Sequence, residues 1–451
     1  MINTGYQVLL ERLIKQNIAH CLLRDTDIKN IRLDELDILV WPKEYDRFKR
    51  EAMESGFLLY KSHMILKEVY ACFDDEGLSL IDVHYAFVQS GLVYMPLPDY
   101  TRHVISDLQG YKVLSPENQL LHLFFHNMIG KNHVQKKHLP IVNRLISADL
   151  DQEYLRALIN DVSIHTIFER FLQNPEFYSE DNFDTKSAVK QIRTALLKNS
   201  FANRWRQLLR KAQVRFKKTI PGIQVAFMGV DGAGKSTLVN AVDKRLDEIQ
   251  KVKHQVVYMG PWGHVRTPVL KFCLCKKILP AGEDWFGALV QKIQSKNSKH
   301  TILFILKKLI SSQLKGWIYF AALYYEMWYR YLSEIRPALK KGIIVVSDRY
   351  IYDARFIYKK RAISQFGLWR RFICFFYPKP QRIFYLFNTP QQIVQRKAQL
   401  KEDEIQLFQG FYQRVLANQR VQELNTQRSP EELAREAVKT IINIYLSQNQ
   451  S

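Results

Sequence analysis

The chain has 451 residues, 47% hydrophobic and 24% charged, which is ordinary for a soluble globular protein and leaves room for two or three domains. Its formal charge of +22 is not ordinary, and implies an anionic partner such as nucleotide, nucleic acid or an anionic membrane surface. Five scattered cysteines (Cys21, Cys72, Cys273, Cys275 and Cys374) make neither a disulfide framework nor a C-x-x-C metal pattern, which fits a reducing compartment. The first residues, Met1 to Tyr6, lack the basic and apolar regions of a signal peptide. No run of 18 apolar residues occurs, since the stretch 302–329 is interrupted by Lys307, Lys308, Lys315 and Glu326. That stretch reads as a buried helix with lysines at its margins or as a membrane-facing surface. The expectation is a cytoplasmic protein, with peripheral contact at the inner face of the membrane left open.

In chain order, the first chemistry is acidic. Glu35 and Asp37 enter a strand that continues to Val40, and Asp82 lies in a later strand, Leu78 to His84. Alternation puts Glu35 and Asp37 on one strand face, and three such carboxylates suit a two-metal site. This pattern resembles the minimal nucleotidyltransferase fold, and the helical stretch Ser115 to His126 resembles the helical part of that group. The resemblance implies metal ligation by Glu35, Asp37 and Asp82 in an α+β domain over residues 1–110. The family's Gly-Ser turn, which grips the triphosphate, is replaced here by Leu22-Leu23-Arg24-Asp25. Nucleotidyl transfer and binding without chemistry therefore both stand as readings. His84, His122 and His126 could assist metal or phosphate binding, although the last two also suit a helical core.

Residues 111–215 read as a helical extension ending in a basic linker. Between Asp184 and Asp231 there is no acidic residue, while Lys186, Lys190, Arg193, Lys198, Arg204, Arg206, Arg210, Lys211, Arg215, Lys217 and Lys218 are all cationic. The segment 186–218 is expected to form a basic helix and a short connector. It offers either a contact for anionic membrane or nucleic acid or simply a solvated face. Pro221-Gly222 marks the next domain, 216–451.

That domain opens with an apolar run, Ile223 to Met228, followed by Gly229-Val230-Asp231-Gly232-Ala233-Gly234-Lys235-Ser236 and a helical pattern from Thr237. Strand, glycine-rich loop and helix together make a phosphate-binding loop. Gly229, Gly232 and Gly234 free the backbone so that amides around Asp231 and Ala233 can line one concavity at the helix N-terminus. Lys235 can reach the outer phosphates of ATP or GTP, and the Ser236 hydroxyl, beside Thr237, can ligate Mg²⁺. Further strands are expected at 255–260, 343–347 and 382–387. A long helical region is expected from Phe272 to Lys341, and helices after Pro390 and from Ser429-Pro430-Glu431-Glu432. The fold class is α/β with a parallel sheet.

The strand at 343–347 runs into Asp348-Arg349-Tyr350. With Ile335-Arg336-Pro337-Ala338-Leu339, the loop carrying Asp231, Asn388-Thr389-Pro390, Arg396-Lys397 and Ser429 to Leu433, it resembles the thymidylate kinase group of P-loop kinases. The resemblance covers roughly residues 221–447. It implies an ATP- and Mg²⁺-dependent kinase that phosphorylates a nucleoside monophosphate or related small-molecule phosphate acceptor. Asp348 would organise the metal shell and Arg349 would fork onto the acceptor phosphate. Arg396, on a mobile segment, would close over the transferred phosphoryl. The departures lie on the acceptor side. Gly260-Pro261-Trp262-Gly263-His264-Val265-Arg266 replaces the family's Arg-Glu-Pro-Gly-Gly-like segment, and the Asp-Arg pair before Arg336-Pro337 is missing, with Arg330 the nearest cation. Two other readings remain. One is a bifunctional kinase and nucleotidyltransferase making an activated sugar or alcohol. The other is a nucleotide-gated regulatory protein that binds nucleic acid or membrane.

Overall fold

The computed structural model describes residues 4–23, 36–74, 77–106, 110–159, 161–179, 183–215, 221–249, 252–260, 266–268, 321, 323–355, 374–397 and 400–448. The chain divides into two compact units, Met1–Lys218 and Thr219–Gln448.

Among the described residues, nine strands belong to the first unit: β1 (His20–Leu22), β2 (Leu36–Val40), β3 (Leu58–Met64), β4 (Lys67–Asp74), β5 (Gly77–His84), β6 (Phe87–Gln89), β7 (Leu92–Met95), β8 (Val104–Ser106) and β9 (Lys112–Leu114). Seven of them form a mixed sheet in the order β3-β4-β5-β2-β1-β9-β8. Alternation gives the sheet two apolar faces. Ile38, Val40, Ile81 and Val83 pack on helices Thr4–Lys15 and Tyr45–Glu54 through Leu9, Leu13 and Phe48. On the other side Cys21 and Leu39 join a core with Leu120, Phe124, Phe168 and Ile192. The helices after residue 115 therefore share a core with the sheet. His122 is buried in it and bonds the Tyr94 hydroxyl at 2.7 Å, as a core histidine should.

The basic segment corrects one expectation. Its helical part is two helices rather than one, Phe183–Lys198 and Phe201–Arg215, both in the first unit, while the connector expected after residue 215 lies outside the described residues. The cause is its apolar spacing: Thr185, Ala188, Val189, Ile192 and Ala195 are buried along one face.

The described residues of the second unit form five parallel strands, β10 (Gln224–Gly229), β11 (His254–Tyr258), β12 (Ile344–Asp348), β13 (Arg382–Phe387) and β14 (Val421–Asn425), in the order β11-β12-β10-β13-β14. β10 is buried throughout, which suits its apolar run from Val225 to Met228, and its one polar side chain, Gln224, donates to Ser347 Oγ at 2.9 Å. β14 escapes the sequence reading because an edge strand needs only one covered face, and Val-Gln-Glu-Leu-Asn buries just Leu424. Helix Lys235–Asp247 packs against Pro430–Ser447, whose Ser429 hydroxyl accepts from the Glu432 amide at 3.2 Å. Of the helical region expected from Phe272 to Lys341, residues 323–330 are helical, followed by a π-helical turn, Tyr331–Ile335, and the helix Arg336–Lys340. The part before residue 321 lies outside the described residues. Among the helices described, none is long and apolar enough to cross a membrane.

Candidate functional site

In the second unit, connections reverse direction on either side of β10. The carboxyl end of that strand thus opens a crevice between β12 and β13. Gly229 ends β10 where an added Cβ would meet the Leu386 carbonyl oxygen at 2.5 Å. Gly232, at φ +89°, sits under helix Pro390–Arg396, with Ile393 and Lys397 3.1 and 3.2 Å from where a Cβ would stand. The loop closes through the Ala233 amide, which donates to Val230 O at 3.0 Å, and Gly234 hands over to helix Lys235–Asp247. Ser236 and Thr237, in the first turn, are exposed beside the unpaired amides that every helix N-terminus carries.

Lys235 is buried and donates to Gly229 O and Val230 O at 2.8 and 2.9 Å, with Asp231 Oδ1 at 3.5 Å. Burial, then the charge of Arg349, lowers its ammonium to about 8 against the pull of Asp231. Asp348 ends β12 with Oδ2 3.5 Å from Ser236 Oγ, while its buried Oδ1 has no hydrogen-bond partner among the described residues. Burial raises the pKa of this carboxyl, and Arg349 and Lys235 only partly oppose it. A carboxylate oxygen left over beside a hydroxyl is the hard-oxygen donor set that Mg²⁺ takes, so Asp348 and Ser236 fit the cation that such a loop implies.

Arg349 adopts a left-handed backbone, φ +68°. Its guanidinium donates to Asp231 on the phosphate-binding loop and, at 2.9 Å, to Asp353. Burial opposes the charge on Arg349, yet Asp353 and Asp231 outweigh it and raise the pKa. Burial likewise works against ionised Asp231, and Arg349 and Lys235 overcome it and lower that pKa. Gly260 leaves the space through which Arg349 passes, since a Cβ there would lie 2.5 Å from Arg349 Cδ. Arg396 is the last residue of its helix, with Nη2 donating to Thr426 O at 3.0 Å. Its guanidinium lies beside Gly234. The mobile segment expected to carry Arg396 is thus, at that residue, a helix end bonded to the residue after β14.

Two residues here, Asp353 and Glu326, had no role in the sequence reading. Asp353 receives Arg349 and also the Tyr412 hydroxyl at 2.8 Å. Glu326, noted only as a break in an apolar stretch, forms a buried pair with Arg330 at 3.0 Å and accepts the Arg266 and Thr267 amides. Arg330 in turn donates to Gly260 O at 2.9 Å. The i,i+4 spacing of Glu326 and Arg330 was the available signal. Residues 261–265, expected to face the acceptor, lie outside the described residues.

The first unit brings Asp37 and Asp82 together, directly opposite on parallel β2 and β5. With His84 they offer three ligand atoms within 4.8 Å of one another. Glu35 lies outside the described residues. Lys67, on β4 and absent from the sequence reading, pairs its ammonium with Asp82. Its ammonium offsets part of the carboxylate charge that a metal ion there would draw on. Lys186, Lys190 and Arg193 of the basic segment line a groove of about 390 Å³.

No protein-family model matches the chain. A probable thymidylate kinase 2 from Saccharolobus solfataricus is 25% identical over 180 residues, 39% of this chain and 63% of that protein. A thymidylate kinase from Mycoplasma mobile is 27% identical over 135 residues, 30% of this chain and 49% of the relative. The chain thus spans about half to under two thirds of these curated relatives, and the similarity supports a thymidylate kinase-like domain within it.

Proposed function

We propose that the second unit is an ATP- and Mg²⁺-dependent kinase, transferring the γ-phosphoryl to a nucleoside monophosphate or a related small phosphorylated acceptor. The observation that carries this reading is the meeting of Lys235, Ser236, Asp348 and the Asp231–Arg349 pair at the carboxyl ends of β10 and β12. Similarity to proteins described as thymidylate kinases supports the same class of acceptor.

Each residue has a physical task. Backbone amides of the loop and first helical turn hold the donor's phosphates, and Lys235 exchanges its two carbonyl partners for phosphate oxygens. Ser236 and Asp348 would hold Mg²⁺, which neutralises charge on the phosphates when bound. Among the described residues Asp231 and Asp353 engage two of the five N–H donors of Arg349, and the others would fork onto an acceptor phosphate. Arg396, beside Gly234, adds positive charge at the loop. An acceptor screen with labelled ATP, run beside Lys235→Ala, tests the proposal. Phosphorylation of dTMP or another monophosphate well above that variant's background is expected. Turnover indifferent to every acceptor but stimulated by nucleic acid would point to a regulatory protein instead.

For the first unit, the Asp37–Asp82 register with His84 favours a nucleotidyltransferase-like site, making the chain bifunctional. Asp37→Asn with Asp82→Asn should then abolish pyrophosphate release and leave phosphoryl transfer intact. Loss of both activities, or no pyrophosphate release by the unaltered chain, would reject this second reading.

A further inference from the structure

The helix Phe201–Arg215 is amphipathic in the wrong sense for a surface helix: polar residues face the protein and apolar ones face away. Asn203 is buried, accepts from the Val93 amide at 3.0 Å, and donates to Val93 O and Leu196 O at 2.9 and 3.1 Å. Gln207 and Arg210 both donate to Ser90 O, at 2.7 and 2.8 Å. Positions 203, 207 and 210 form one helical stripe, and they fix the helix to the β6–β7 turn and β7. At roughly 100° per residue, Phe201, Trp205 and Leu208 are centred about 160° from that stripe. They are 76%, 57% and 57% exposed, and Leu209 beside them is 43% exposed.

Arg204 and Lys211 flank this apolar stripe on one side and Arg206 on the other. No carboxylate occurs in the chain from residue 185 to 230. We propose that this face is a membrane-docking surface, on which Phe201, Trp205, Leu208 and Leu209 enter the headgroup boundary of an anionic lipid leaflet. Charge complementarity and side-chain type select the occupant together. Cations alone would suit any polyanion, but two aliphatic leucines beside a phenylalanine and a tryptophan gain most where hydrocarbon begins. Nucleic acid would use the aromatics by stacking and leave the leucines in water. The helix lies in the interface and does not cross it, consistent with the lack of a membrane-spanning helix among the described residues.

The test is flotation of the full chain with vesicles of phosphatidylcholine alone or mixed with phosphatidylglycerol. Binding to the anionic vesicles only, weakening as salt rises, is expected. Phe201→Ser/Trp205→Ser/Leu208→Ser should lower partitioning by about tenfold or more. Arg204→Gln/Lys211→Gln should cost about fivefold per cation. These side chains are exposed, so circular dichroism melting should match the unaltered chain. Trp205→Phe provides a second check: it should retain binding but lose part of the quenching of tryptophan emission by brominated lipid. Absence of vesicle binding by the unaltered chain would overturn the proposal. So would a triple variant that binds vesicles normally, or one whose only change is lost self-association or lost single-stranded nucleic-acid binding.

Discussion

Lys235 holds the most consequential balance of forces. Burial brings its ammonium from 10.5 to about 8, so in the nucleotide-free protein it begins to lose its proton just above neutrality. The folded value lies below the unfolded one, so the unfolded chain binds more protons between those limits and stability rises with pH across them. Nucleotide phosphates favour the charged form. Binding at about pH 9 should therefore take up a proton, and affinity should fall as pH rises through 8. Titration calorimetry in buffers of different ionisation enthalpy measures this uptake, and a count of zero would contradict it. Asp353 is a positioning residue by the same logic, since it holds Arg349 in a left-handed backbone that costs about 1–2 kcal/mol. Asp353→Asn should lower kcat for phosphoryl transfer by about tenfold while changing KM for ATP little. A KM effect without a kcat effect would place Arg349 elsewhere in the reaction. The sequence displays Gly229 to Thr237 in full because that chemistry is continuous along the chain. Asp353 was hidden because one partner, Tyr412, is 59 residues away.

Among the elements, helix Pro390–Arg396 owes its place to a missing side chain. Gly232 combines φ +89° with contacts of 3.1 and 3.2 Å awaiting any Cβ. Gly232→Ala should destabilise the second unit by about 1–2 kcal/mol from backbone strain alone. It should also push the helix off the loop, so nucleotide affinity should fall further than melting temperature suggests. Unchanged affinity in a fluorescence titration would show that the helix does not shape the loop. Glu326 carries a larger load, for both it and Arg330 are only 2% exposed. Glu326→Gln leaves a buried guanidinium poorly compensated and should cost about 3 kcal/mol, read by chemical denaturation. The strands β10, β12 and β13 are legible because buried parallel strands advertise themselves as largely apolar runs. By contrast, β14 and the two-helix form of the basic segment depend on what packs against them, and a single sequence does not state that.

At the scale of the whole molecule, two compact units with separate cores predict two unfolding transitions by scanning calorimetry. MgATP at about a hundred times its Kd should raise only one of them, by about 2.7 kcal/mol, and Lys235→Ala should cancel that shift. A single transition moving as a whole would show that the units melt together. The strand order has a further consequence, which concerns time. β10 is translated first but sits between β12 and β13, each synthesised more than a hundred residues later. At about 5–20 residues per second, the phosphate-binding loop waits on the order of ten seconds for its neighbours. The first unit can complete its core in that interval, while β10, apolar from Val225 to Met228 and still without its neighbouring strands, is the stretch a chaperone would meet.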